Sequence, residues 1–115
     1  MSLRGQRIRF EPIRSIAFGA VSGAYAAVGT PLANASRLLM FDNIMDTALL
    51  ISFDGSNDHI FIAASSSKII DLASNRVGPV DQLELSESTT IYVKQASGAP
   101  GSGTLYISTM YASIN

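Results

Sequence analysis

The chain has no cysteine, no tryptophan and one histidine among its 115 residues. Without cysteine, neither disulfides nor thiolate metal sites can hold the fold together. Charge is also scarce: charged residues make up 15% of the chain and the net charge is −1, which argues against a chain that binds nucleic acid with its whole surface. The opening MSLRGQRIRFEPIRS lacks the apolar core of a signal peptide. The longest uncharged run, 15–36, is broken by glycines, serines, Thr30 and Pro31, so no membrane-spanning segment is expected there and the chain is read as soluble. Hydrophobic residues account for 47% of the chain, ordinary for a globular protein and enough for one modest core.

Apolar residues recur with a period of two. In TALLISF, Leu49, Ile51 and Phe53 share one face; in TTIYVKQ, Ile91 and Val93 alternate with Tyr92 and Lys94. In GTLYISTMY, Leu105, Ile107, Thr109 and Tyr111 alternate with Tyr106, Ser108 and Met110. The pattern predicts strands near 16–20, 23–28, 36–41, 47–53, 59–63, 67–72, 81–85, 89–95 and 103–112, separated by turn clusters such as DGSND, ASSS and ASGAPGSG. Short strands at this spacing indicate an all-β, antiparallel β-sandwich, of jelly-roll or immunoglobulin-like type, over residues 16–115. The one helical candidate, AAVGTPLANASRLL, is weakened by Gly29 and Pro31.

The reactive-looking residues lie in LLISFDGSNDHIFIAASSSKIIDL. Asp54, Asn57 and Asp58 suggest a calcium loop, but the alternating ligands and distal glutamate are missing, and a hairpin turn with Gly55 at positive φ accounts for them. His59 has serines and aspartates near it in sequence but no nucleophile elbow, and is read as the start of a strand. Ser65 and Lys68 match S-x-x-K by letter, yet IIDL after them is strand-like and would separate the two side chains. GAPGSG at 98–103 has no following Lys-Ser or Lys-Thr for a phosphate loop, and Asn34-Ala35-Ser36 is a glycosylation sequon by letter only. No catalytic residue, metal site or cofactor is expected.

Residues 1–15 stand apart. Arg4, Arg7, Arg9 and Arg14 are half of the chain's basic residues, and only Glu11 opposes them. With Pro12 and no strand partner of obvious register, the segment is expected to be an extended arm that lies on a neighbouring subunit. Arg4, Arg7, Ile8, Arg9, Phe10 and Arg14 are its candidate contacts: Ile8 and Phe10 as apolar anchors, the arginines against an acidic protein surface. Phosphate contact is the lesser alternative.

The elements Leu50 to Gly55, Asp58 to Ala64, Ile91 to Lys94, Ala96 to Gly103 and Thr104 to Ala112 together resemble those of small virion structural proteins of tailed bacteriophages, a likeness that covers 15–112. It implies a particle component without enzymatic activity, assembled in the host cytoplasm. Within that group the expected role is capsid decoration or cement; head–tail connector, collar, tail adaptor or fibre base is the alternative. Expected partners are other virion proteins, whether the major capsid protein or portal, neck and tail proteins, together with further copies of the chain. Two other classes are weighed: a carbohydrate-binding module using Tyr92 and Tyr106 as exposed aromatic contacts, and a small hydrolase using His59.

Overall fold

A computed structural model describes residues 6–72 and 85–114 of the chain. Its strands are β1 (Gln6–Phe10), β2 (Arg14–Ala17), β3 (Ala26–Ala27), β4 (Leu38–Asn43), β5 (Leu49–Ser52), β6 (Ile60–Ile62), β7 (Ser66–Asp71), β8 (Tyr92–Gln95) and β9 (Thr104–Ile114). One 3-10 turn, Phe18–Ala20, ends the chain's first pass along the sheet, and no α-helix occurs among the described residues. The predicted strand at 16–20 is thus shifted toward the N-terminus. That at 81–85 lies outside the described residues except for Leu85, which bridges Ser36.

All pairings are antiparallel and fall into two sheets. In the first, the β9 sheet, β9 lies between β4 and the collinear pair β1 and β2, with β7 outside β4. In the second, the β8 sheet, the order is β3-β8-β5-β6. From β2 onward the paired strands are β2 with β9, β3 with β8, β4 with β7 and β5 with β6. That nesting is the jelly-roll winding of an eight-stranded sandwich. It is not the ABED/CFG division of an immunoglobulin domain.

The alternation seen in the sequence fills the space between the sheets. Leu39 and Phe41 of β4 with Leu105 and Ile107 of β9 face Leu49 and Ile51 of β5, Ile62 of β6, and Ile91 and Val93 from the β8 segment, all buried. Each such side chain contributes about 1.5–3 kcal/mol of transfer free energy. Asn43 is buried at the end of β4 and fixes the crossing to β5: its Nδ2 donates to the Thr47 and Ala63 carbonyls, and its Oδ1 accepts from the Met45 amide. Gly103 enters β9 at φ +97°, where a Cβ would lie 2.2 Å from the Ile44 carbonyl oxygen, so no other residue fits there.

The N-terminal segment departs from expectation. Residues 6–10 are not a free arm without a partner strand, because they pair with residues 110–114 of the chain's own β9. Residues 14–17 pair with 104–107. The exposed Arg9 and the following Pro12 hid a strand whose apolar positions, Ile8 and Phe10, point away from the core.

Candidate functional site

The site grows from the break between β1 and β2. Phe10 is opposite Met110 and Arg14 opposite Ile107, so residues 11–13 span only 108 and 109. One extra residue is a β-bulge, and Pro12, which has no N–H to give, sits within it. A strict period of two across this point would set Glu11 and Arg14 on opposite faces. The bulge puts both on the inner face.

There they form a buried ion pair at 2.8 Å with side chains 4% and 6% exposed. Arg14 also donates through Nε to the Thr30 carbonyl at 2.8 Å, and through its terminal nitrogens to the Pro31 carbonyl and Thr109 Oγ1. Glu11 accepts from the Asn34 amide at 2.8 Å, the Asn34 side chain and the Ala33 amide. Burial alone pushes the Glu11 carboxyl up, but Arg14, Asn34 and the two amides outweigh it and hold the carboxyl below its ordinary value. Arg14, expected among the arm's contacts, is therefore a clamp that ties the bulge to the 29–34 loop and is not available to a partner. A cleft of about 430 Å³ lies beside it, bordered by Phe10, Ile13, Thr30 and Tyr111.

The same bulge sets what faces outward. Ile8, Phe10 and Ile13 are 57%, 67% and 60% exposed. Across the β9 sheet, Phe10 is in register with Met110, then Leu38, then Asp71. The next row runs Ser108, Met40, Ile69, and the last Tyr106, Asp42, Ser67. Ile69 is 60% exposed, and Leu38, Met40 and Met110 are half-buried by their neighbours alone. The outer face of this sheet therefore carries a band of apolar side chains across four strands, about 14 Å at ordinary strand spacing. Its acidic members, Asp42 and Asp71, stand on the β4 and β7 side. An exposed apolar band of this kind is a candidate contact surface.

Beyond Arg37, β9 loses β4 as a neighbour: residues 111–114 pair with β1 and, among the described residues, with nothing else. The sheet ends in a two-stranded ribbon that carries Ile8 and Arg9.

The residues singled out around the β5–β6 turn do something else. Asp54 Oδ1 accepts from the amides of Ser56 and Asn57 and from the Ser52 hydroxyl at 2.9 Å, and its Oδ2 accepts from the Asn57 side chain. These bonds, the Asn57 amide first, hold its carboxyl far below the ordinary range. Gly55 has φ +81° and packs against the Tyr92 ring. The oxygens that a calcium ion would need are engaged in closing the hairpin. His59 Nδ1 accepts from the Phe53 amide at 3.0 Å, its ring stacks on Phe53, and its Nε2 lies 3.7 Å from Asp54. Ser52, which bonds to Asp54, is buried and accepts the Asp54 and Gly55 amides.

Alongside, the Tyr25 hydroxyl donates to Asp58, Lys94 lies 3.3 Å from Asp58, and the Lys94 ammonium sits 4.8 Å from the Tyr25 ring centre. Partial burial, then the Asp58 hydrogen bond and charge, pushes the Tyr25 phenol up to about 12. Asp58 is lowered, first by the Tyr25 hydroxyl and then by Lys94.

The other motifs fall on strands and turns. Ser65 is in a left-handed turn at φ 52° and Lys68 is in β7, so the two are not one helical turn apart. Lys68 Nζ instead donates to the Phe61 carbonyl at 3.0 Å. The 98–103 loop is tied down where the Gly101 amide meets Asp46 at 2.8 Å. Tyr92 and Tyr106 lie on different sheets, Tyr92 half-buried and Tyr106 exposed, so they do not form one aromatic platform. Arg4 lies outside the described residues.

Sequence reasoning found Ile8 and Phe10 but not Ile13, Leu38, Met40, Ile69 and Met110. A signal was available: Leu38-Leu39-Met40-Phe41 is apolar at both parities, as for a strand covered on both faces. In the structure only one of those faces is covered.

No protein-family model and no curated protein matches the chain. Among solved structures, it is similar to the SPP1 Dit protein, presented as a paradigm of the hub adsorption apparatus in phages that infect Gram-positive hosts. The TM-score is 0.40 at 12% identity, over 90% of this chain and 49% of that one. The chain thus spans about half the length of that protein, and a likeness at this level says nothing of function.

Proposed function

We propose that the chain is a non-enzymatic structural subunit of a tailed-bacteriophage particle, and that it docks on neighbouring virion proteins through the outer face of its β9 sheet. The observation that carries the docking role is the band of Ile8, Phe10, Ile13 and Ile69 over half-buried Leu38, Met40 and Met110. The virion setting rests on the sequence resemblance. A jelly roll alone does not decide the matter, since the same architecture serves capsid proteins, lectins and cupins.

Docking of this kind is passive. Apolar side chains leave water, and a few well-packed anchors supply most of the affinity. Phe10 and Ile69 are the natural anchors, one at each end of the band. Within the particle, capsid decoration or cement is the role that suits a small single domain used in many copies; a neck, collar or tail-adaptor position is the alternative. Quantitative mass spectrometry of purified virions separates them. A copy number comparable with the major capsid protein supports decoration, and a small fraction of it places the chain at the neck or tail. Complete absence from particles overturns the virion reading.

A further inference from the structure

Among the described residues the two sheets have four edges, formed by β3, β6, β7 and the collinear pair β1 and β2, and they are not equally protected. β3 is 2 residues long and β6 is 3, too short to template another strand. β7 has 6 residues but carries Lys68, whose ammonium is held against the Phe61 carbonyl across the sandwich edge. An inward-directed charge of this sort blunts an edge. β1, with 5 residues, also carries a charge, Arg9, but that side chain is exposed and is not drawn onto the facing sheet as Lys68 is. It also belongs to the ribbon that continues past β4, and a two-stranded ribbon is marginal by itself.

The backbone of β1 has a definite polarity. The Glu11 amide donates to the Thr109 carbonyl, so in the β1 register Glu11 faces β9. Alternation along an antiparallel pair then sets the Arg9 and Arg7 backbone toward β9, and that of Gln6, Ile8 and Phe10 toward the other side, where no strand pairs with β1 among the described residues. The free edge thus offers N–H and C=O groups at the same residues that present apolar side chains to the outer face. Arg9 is exposed at the intervening position, with Arg7 two residues before it.

Building on the docking role proposed above, we propose that the free edge of β1 accepts an extended segment of another protein in which acidic and apolar residues alternate. An added strand continues the β9 sheet. Its apolar side chains lie beside Ile8 and Phe10, lengthening the outer apolar band, and an acidic side chain lies opposite Arg9. The bulge at Pro12 ends the pairing and fixes where the segment stops. A second copy of β1 is a poor occupant. An antiparallel pairing centred on Ile8 puts Arg7 of each copy opposite Arg9 of the other, and like charges directly opposite are destabilising.

The test titrates the full chain into a fluorescein-labelled peptide of alternating glutamate and valine, and into one of alternating lysine and valine, with anisotropy as readout and amide exchange followed by NMR. The acidic peptide should bind and protect the Ile8 and Phe10 amides. Ile8→Pro removes a free-edge donor while leaving the β9-facing bonds of β1, and should abolish binding. Arg9→Glu should weaken the acidic peptide by roughly tenfold or more and favour the lysine peptide, since a favourable cross-strand pair becomes a repulsive one. Circular dichroism of both variants confirms that they fold. No binding, equal binding of the two peptides, or protection mapped to another strand overturns the proposal; so does a wild-type dimer in sedimentation that Ile8→Pro dissociates. Virion copy number and this titration are independent, so the particle reading and the edge reading fail separately.

Discussion

The outer faces of the two sheets are built from the same kind of strand and treat water in opposite ways. On the β8 sheet, the polar groups satisfy one another: Tyr25, Asp58 and Lys94 form one cluster, and Ser52, Asp54, Asn57 and His59 close the adjoining turn. Phe61 is the large exposed apolar side chain on that face. On the β9 sheet, the polar groups with the most partners, Glu11 and Arg14, are turned inward, and the apolar ones are left outside. One face has its polar groups paired, while the other leaves large apolar side chains exposed.

The largest effect that sharpens this contrast is expected beneath the β9 sheet. Arg14→Ala leaves Glu11 buried without its cation and should cost about 3–5 kcal/mol in urea or thermal unfolding. Lys94→Ala, which breaks the exposed pair with Asp58 on the other sheet, should shift the unfolding midpoint far less. Equal shifts would mean that the two networks do not differ as described.

Acid should act on both networks, and substitution isolates the share of Glu11. A carboxyl held below its ordinary value in the folded chain adds stability that is present above the unfolded value of about 4.5 and is lost as pH falls through the lower folded value. Glu11 therefore predicts a melting temperature that falls below about pH 4.5. Glu11→Gln should start less stable at neutral pH and lose less on acidification. A variant with the full wild-type acid dependence would remove Glu11 from the account.

The smallest effect is local to the β8 sheet. One tyrosine should ionise near pH 12 by ultraviolet absorbance, and Asp58→Asn should bring it back toward the ordinary value of 10.0. No change on that substitution would show that the Tyr25–Asp58 contact is absent in solution.

Much of the fold was legible from alternation alone, because the strands with one covered face (Leu49 and Ile51, Ile91 and Val93, Leu105 and Ile107) announce themselves by period two. The β5–β6 hairpin was legible from its turn residues, Asp54, Gly55 and Asn57. β1 was not, for a physical reason: its apolar residues face solvent, so its pattern says nothing about which strand it pairs with. Arg14 was misread for a related reason. A single extra residue at the bulge reverses the face of everything beyond it, and nothing in the letters Glu-Pro-Ile-Arg marks the reversal except Pro12. The choice of jelly roll over an immunoglobulin-like sandwich depended on strand nesting, which is a long-range property that local pattern does not carry.

The most direct test of the central claim compares one exposed apolar residue from each outer face. Ile69 on the β9 sheet is 60% exposed and Phe61 on the β8 sheet is 53% exposed, so an aspartate at either position should leave the fold nearly unchanged. The measurement is the amount of each variant recovered in purified particles, relative to wild type. Ile69→Asp should be lost from particles while Phe61→Asp is incorporated at the wild-type level. Equal incorporation of the two, or loss of Phe61→Asp alone, would contradict docking through the β9 sheet.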